Sequence, residues 1–170
     1  PQTYFGIGFD IHRLIKNKKL FLGGKKIPFH SGLKGHSDGD VILHAIIDGL
    51  LGAMKKKDIG TYFPSNKSKF KNIRSPNMLR PILDDLNDKG FLINNIDINL
   101  ICEKPKVSRY RIKIINSLPK LLYLKKEQLA FITILLWYLK KMELLLENIE
   151  KCIFQMILGF MKNFILHLVI

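Results

Sequence analysis

Asp10 and His12 stand two apart in the run Phe5-Gly6-Ile7-Gly8-Phe9-Asp10-Ile11-His12, whose alternation and β-forming residues predict a strand. Side chains at i and i+2 leave a strand on the same face, so a carboxylate and an imidazole can converge there on one ion. Further along, Asp40, His44 and Asp48 are spaced four apart among apolar Val41, Ile42, Ala45, Ile46 and Leu50. That spacing puts the three polar residues on one face of a helix. Taken alone, the stripe reads as a capping Asp40 with a satisfied, half-buried His44. With Asp10 and His12 added, it reads as a ligand source. Two histidines and a carboxylate, Asp10, His12 and His44, make a three-donor set that suits Zn²⁺ and leaves a fourth position open for substrate.

Two loops offer weaker chemistry. Asp58-Ile59-Gly60 and Phe63-Pro64-Ser65 form a turn-rich segment suited to backbone hydrogen bonding of a polar ligand, or simply a connection. Lys104 and Lys106 flank Pro105 at a strand end, as a phosphate-holding pair or as an exposed basic turn. The chain carries 28 Lys+Arg against 14 Asp+Glu, a formal charge of +14, which favours phosphate-rich partners in general. The lysines are dispersed and not interleaved with aromatics as base stacking would want, so a solvated basic surface is expected and nucleic acid is not.

The elements that must hold these residues follow from pattern. Leu20–Leu22 and Lys26–Phe29 flank Gly23-Gly24, a hairpin signal. A helix is predicted from Asp40 to Ala53. Ser75 can cap a second helix with Pro76 at its first position and Gly90 closing it, but Pro81 predicts a kink or a later start. Ile96, Ile98 and Leu100 alternate with Asp97 and Asn99 as a half-buried strand. A basic amphipathic helix is expected from Val107 to Lys126, with Pro119 against it. Beyond Gln128, Leu129–Leu139 and Ile153–Ile170 are almost wholly apolar; the second run is at the lower edge of what spans a bilayer, about 20 residues, and a membrane anchor is the lesser reading.

With 170 residues, 47% of them hydrophobic, one globular domain is expected. Cys102 and Cys152 form no pair pattern, which fits a reducing compartment. The sequence opens without a basic n-region or apolar h-region, so no secretory signal is expected, and it begins with Pro, as a trimmed or fragmentary chain would.

Gly8-Phe9-Asp10-Ile11-His12-Arg13, Leu22-Gly23-Gly24 and His36-Ser37-Asp38-Gly39-Asp40-Val41 with Leu43-His44-Ala45, in that order, resemble the signature of the 2-C-methyl-D-erythritol 2,4-cyclodiphosphate synthases. Asp58-Ile59-Gly60, Phe63-Pro64, Lys71, Ser75, Gly90, Asp97 and Pro105-Lys106 continue the likeness to about Gln128. The resemblance implies an α+β fold, a mixed β-sheet with helices packed on one face, as a single trimer-forming domain. It implies a lyase of non-mevalonate isoprenoid biosynthesis that cyclises 4-diphosphocytidyl-2-C-methyl-D-erythritol 2-phosphate and releases CMP. Asp10, His12 and His44 would hold Zn²⁺, and a second divalent cation, Mg²⁺ or Mn²⁺, would bridge the phosphates. His36 would stabilise the transition state and Ser37 would hold the substrate beside it. Asp58, Ile59, Gly60, Phe63 and Pro64 would bind the methylerythritol part. Cys102, Pro105 and Lys106 would lie in a cytidine-binding segment given by a neighbouring subunit of a homotrimer, so that active sites lie at interfaces. A bacterial cytoplasm or a plastid would be the compartment.

The resemblance covers a domain of residues 1–128. In residues 129–170 the threonine-rich turn with its Glu and the Gly-rich loop expected of the family do not follow. A reading-frame shift near Gln128 and genuine divergence into a helical pair or membrane-seeking tail both account for this. The alternative function is a catalytically impaired metal-binding relative without that phosphate clamp.

Overall fold

The computed structural model describes residues 2–102, 104–125, 129–135 and 166–169. Eight strands and five α-helices are defined among them: β1 (Thr3–Gly6), β2 (Leu14–Lys16), β3 (Leu20–Leu22), β4 (Lys25–Ile27), β5 (Ser31–Leu33), α1 (Val41–Ala53), α2 (Ile59–Tyr62), α3 (Ser75–Asp88), β6 (Leu92–Ile101), α4 (Arg111–Ile115), α5 (Leu118–Leu122), β7 (Leu129–Leu135) and β8 (Leu166–Val169). The main sheet has the order β1-β8-β6-β7, with β6 and β7 parallel and the other pairs antiparallel; β2–β5 and β3–β4 form two small ribbons. The sheet is therefore mixed, as the α+β reading requires. No helix among the described residues is long and apolar enough to cross a membrane.

Helix α1 is the centre of the core. Ile42, Leu43, Ile46, Ile47, Leu50 and Leu51 are all buried, which is why its sequence is apolar on nearly every side. Helix α3 is amphipathic instead and turns Met78, Leu79, Ile82, Leu83 and Leu86 inward. Strand β6 contributes Ile96, Ile98 and Leu100 by alternation, and Ile93 from before the irregularity at Ile93/Asn95, where the pairing register shifts. Asp40 caps α1, its side chain accepting from Leu43 N, and the same carboxylate accepts from Gly23 N at 2.9 Å and Gly24 N at 2.6 Å. The two glycines have positive φ, 57° and 77°, as the tight β3–β4 turn needs, so one buried side chain ties the hairpin to the helix start.

Several expectations are corrected. The first strand is laddered only over Thr3–Gly6, not to His12; beyond it the segment lies against α1, with Gly8 on Ala45 O. Residues 7–12 nonetheless keep the alternation, with even positions half-buried and Phe5, Ile7, Phe9 and Ile11 between 49% and 74% exposed. Helix α3 does start at Ser75 and runs through Pro81; Ser75 is inside the helix rather than its cap, and Arg74 holds the cap position. The expected helix over 107–126 is broken into a 3-10 turn (Val107–Tyr110), α4 and α5. Pro119 cannot donate to a preceding turn, the buried Ser117 hydroxyl lies 2.7 Å from Gly23 O and 2.8 Å from Ile114 O, and Tyr123 turns left-handed at φ 54°. Leu129–Leu135, expected to open a helical or membrane-seeking tail, is a strand: Ile132, Thr133 and Ile134 are β-branched and lie along β6. The apolar run Ile153–Ile170 falls outside the described residues except for Leu166–Val169.

Gly6 and Gly8 set the register of the N-terminal segment on α1. A Cβ at Gly6 would lie 1.8 Å from Gly49 O, and one at Gly8 would lie 1.7 Å from Ala45 O. Two residues of extended chain advance about 6.6 Å and one helical turn about 5.4 Å, so each even residue meets the next turn toward the helix start. The next step of this register carries Asp10 to the first turn of α1, the level of Val41, and its carboxylate meets the His44 side chain, which leans toward the helix start. Gly8→Ala forces these backbones apart, and a loss of roughly 1–3 kcal/mol in denaturant-induced unfolding is expected, as for overpacking; an unchanged midpoint would contradict the contact.

Burial pushes the Asp97 carboxyl up to about 6, against a hydrogen bond from the Ile98 backbone, and its Oδ1 is buried without a hydrogen-bond partner among the described residues. The folded value exceeds the unfolded one, so the group's contribution is fully present below about pH 4 and is lost as pH rises toward 6. Asp97→Asn is thus expected to match the parent at pH 4 and to be the more stable protein above pH 6. Denaturation midpoints that differ by the same amount at both pH values would refute this.

Candidate metal centre

Asp10 Oδ2 lies 2.9 Å from His44 Nδ1 and 3.2 Å from His12 Nε2. One donor atom from each of the three residues falls within 4.8 Å of the others, and the two rings stand edge to face with centroids 5.6 Å apart. The N-terminal segment delivers Asp10 and His12 from one side, as their i, i+2 spacing predicts; α1 delivers His44 from the other. Burial pulls the Asp10 carboxyl upward, but hydrogen bonds and charge from His12 and His44 hold it well below the usual carboxylate range.

This geometry fits a cation. The His12 Nε2 is buried and makes no well-formed hydrogen bond, although the Asp10 carboxylate is beside it. Two imidazole nitrogens and a carboxylate oxygen, each able to present a lone pair, point at one small volume. A divalent metal ion satisfies all three at once, and the half-buried setting leaves an open side for a further ligand.

Around the triad a second set of side chains is fixed. The other nitrogen of His44, Nε2, lies 3.1 Å from Ser37 Oγ and 2.9 Å from Ser75 Oγ. Ser37 Oγ accepts from Gly39 N at 3.1 Å. Asp38 is buried and accepts from the Ser75 hydroxyl, from Ser75 N at 3.1 Å and from Arg74 Nε at 2.8 Å. Arg74 stacks its guanidinium 3.8 Å from the Phe21 ring centroid, and Lys18 Nζ donates to Gly35 O and Ser37 O. Asp38, Arg74 and Lys18 were not singled out from sequence. Their signal was slight: an Asp-Gly-Asp doublet and an Arg before a Ser-Pro helix start.

Asp40, placed by spacing on the His44 stripe, serves as cap and hairpin tie. Asp48, the third member, accepts from Ile59 N at 2.7 Å and so anchors α2; burial raises its carboxyl above the ordinary value. Asp58 caps α2, accepting from Thr61 N and Thr61 Oγ1 at 2.9 Å each, and these hydrogen bonds lower its pKa. Gly60 is exposed, and Phe63 meets Phe70 edge to face at 5.4 Å beside Pro64. His36 is exposed on the loop whose Gly35 sits against the His12 ring, and its carbonyl accepts from Asn72 N. Cys102 Sγ approaches Lys104 O at 2.9 Å, next to Pro105 and the exposed Lys106. The structure thus gathers Asp10, His12, His44 and Ser37. The elements following Lys106 are tied to the hairpin side, through Tyr110 Oη to Pro28 O and Lys113 Nζ to Lys26 O.

The chain matches the YgbB family model over residues 3–133. It is 45% identical over 124 residues to the 2-C-methyl-D-erythritol 2,4-cyclodiphosphate synthase of Treponema denticola, covering 73% of this chain and 77% of that protein. It is 51% identical over 125 residues to the bifunctional enzyme IspD/IspF of Pelagibacter ubique, covering 74% of this chain but only 34%, about a third, of that longer protein. Among solved structures, a 2C-methyl-D-erythritol-2,4-cyclodiphosphate synthase in its CDP-bound form superposes with a TM-score of 0.71 at 32% identity, covering 76% of this chain and 86% of that one. The bifunctional IspDF of Campylobacter jejuni gives 0.74 at 33% identity, over 79% of this chain and 36% of that one.

His44→Ala leaves two donors for a metal ion. Its affinity for a divalent transition metal is expected to fall by more than the roughly 10–100-fold typical of losing an outer-shell partner. Equilibrium titration with a competing chelator checks this, and parent-like affinity would remove His44 from the ligand set.

Proposed function

This chain belongs to the YgbB family, with the 2-C-methyl-D-erythritol 2,4-cyclodiphosphate synthases, and from that premise we propose that it is a lyase of isoprenoid precursor biosynthesis. It converts 4-diphosphocytidyl-2-C-methyl-D-erythritol 2-phosphate into 2-C-methyl-D-erythritol 2,4-cyclodiphosphate and CMP. An oxygen of the 2-phosphate bonds to the β-phosphorus, the bond from that phosphorus to the oxygen bridging it to the α-phosphate breaks, and CMP departs with that oxygen. The observation that carries the reading is the convergence of Asp10, His12 and His44 within a chain of this family. The impaired-relative alternative has no comparable support.

Zn²⁺ held by those three side chains, with Mg²⁺ or Mn²⁺ on the phosphates, supplies the charge compensation that an in-line displacement at phosphorus requires when bound. The chain's own groups do the rest. His36, on the open rim beside the triad, is assigned to steady charge on the transferring phosphate, and Ser37 offers its hydroxyl there. Asp58, Ile59, Gly60, Phe63 and Pro64 receive the methylerythritol hydroxyls and backbone. Cys102, Pro105 and Lys106 receive the cytidine from a neighbouring subunit.

That division of labour requires a homotrimer with sites between subunits. The apolar row Phe5, Ile7, Phe9 and Ile11, exposed on the isolated chain, supports such an assembly because water-facing rows of this size mark interfaces. The proposed setting is a bacterial cytoplasm or a plastid. The family pattern is proposed to hold through about Gln128 and to be lost over 129–170, by divergence or by a shifted reading frame.

Incubation with the substrate in the presence of Zn²⁺ and Mg²⁺ should release CMP and cyclic product in equal amounts, and chelation should stop both. His36→Ala should keep the metal and lower kcat by about 10²–10³-fold, the range for one lost charge-stabilising donor. No CMP from metal-loaded protein would reject the activity, and an unaltered rate in the variant would reject the role of His36.

A further inference from the structure

Ser75 and Asp38 are absent from the ligand set, yet both are buried, and their hydrogen bonds end on His44. Asp38 Oδ2 is occupied by two fixed N–H donors, Arg74 Nε and Ser75 N; Oδ1 receives the Ser75 hydroxyl and, at 3.3 Å, Asp40 N. A carboxylate only accepts here, so the Ser75 hydroxyl proton is committed to it. The Ser75 oxygen then faces His44 Nε2 at 2.9 Å with lone pairs alone. Two opposed lone pairs at that separation repel, so Nε2 carries a proton and donates it to Ser75. With Nε2 protonated, the unshared pair of a neutral ring is on Nδ1, which faces the Asp10 carboxylate at 2.9 Å, and that second opposition of lone pairs is the one a cation between them relieves.

We propose that Asp38 and Ser75 are positioning residues for the metal centre, a carboxylate–hydroxyl–imidazole relay that fixes the tautomer and orientation of His44 so that Nδ1 is directed at the cation. Outer partners of metal-bound histidines do this directly with a carboxylate in many sites; here a serine is interposed. The anchoring of Asp38 follows from the same network. Its partner Arg74 is stacked on Phe21 and donates to Gly24 O, so the relay is rooted in the β3–β4 hairpin, an element remote in sequence from both His44 and Ser75. Ser37 Oγ, 3.1 Å from the same Nε2 and accepting from Gly39 N, takes a second and longer share of the Nε2 proton.

The inference rests on the proposed metal site, and the following measurements separate the two. Zn²⁺ affinity is measured by chelator competition for the parent, Ser75→Ala and Asp38→Asn, with circular dichroism to establish folding. In Asp38→Asn the amide nitrogen takes the Oδ1 position, because Oδ2 faces two fixed donors at 2.8 and 3.1 Å and Oδ1 only one, Asp40 N, at 3.3 Å. The Ser75 hydroxyl proton then loses its acceptor and turns to Nε2, its other partner, which moves the ring proton to Nδ1. Both variants are expected to lose roughly 10–100-fold in affinity. In the Zn²⁺-loaded parent, long-range ¹H–¹⁵N spectra are expected to show coordination through Nδ1 and a slowly exchanging proton on Nε2. Parent-like affinity in a folded Ser75→Ala protein, or coordination through Nε2 in the parent, overturns the relay alone. A parent that binds no Zn²⁺ overturns the metal site and the relay with it.

Discussion

The approach of the Gly6–Gly8 backbone to the Ala45–Gly49 stretch of α1 is the constraint from which the site follows. With no Cβ at either glycine, the extended chain lies directly on helical carbonyls, a distance that no other residue type allows. Because the contact is backbone on backbone, it transmits register without slack. Asp10 is carried to the first turn of α1, within reach of the His44 side chain, and His12 follows on the same side. A catalytic constellation has to be held within a fraction of an ångström, and elements locked in this way do so better than loops.

The charged groups gathered there are stable only as a set. Asp10 lies between two imidazoles, Asp38 accepts from Arg74 and three further donors, and Asp40 from the turn amides of the hairpin and the start of α1. Asp40 is fully buried, and its carboxyl is pushed up to about 6 because desolvation outweighs those hydrogen bonds. Three acidic groups in so small a region repel one another, and each has been given its own donors. Lone-pair-rich atoms remain in excess at one point, between Asp10, His12 and His44, which is where a divalent cation relieves the imbalance.

Much of this was legible in the sequence because the relevant periods are short. Alternation carried Asp10 and His12 to one face, four-residue spacing put His44 on α1, and Gly23-Gly24 announced the hairpin. The parts that were not legible depend on contacts across the chain. Ser75 reads as a helix cap from its neighbours, and only the folded position of Asp38 turns its hydroxyl toward His44. The single helix expected over 107–126 is divided because Ser117 is drawn to the hairpin at Gly23, a partner 94 residues away. The length of the first strand was not legible because its ladder partner, β8, is contributed by the far end of the chain.

The most direct test of the account is a crystal of the protein grown with Zn²⁺ and measured at the zinc absorption edge. A single anomalous peak about 2.0–2.2 Å from an Asp10 oxygen, His12 Nε2 and His44 Nδ1 is predicted, the distances of zinc bound by oxygen and imidazole nitrogen. Zinc bound elsewhere, with those three side chains turned apart, would contradict it.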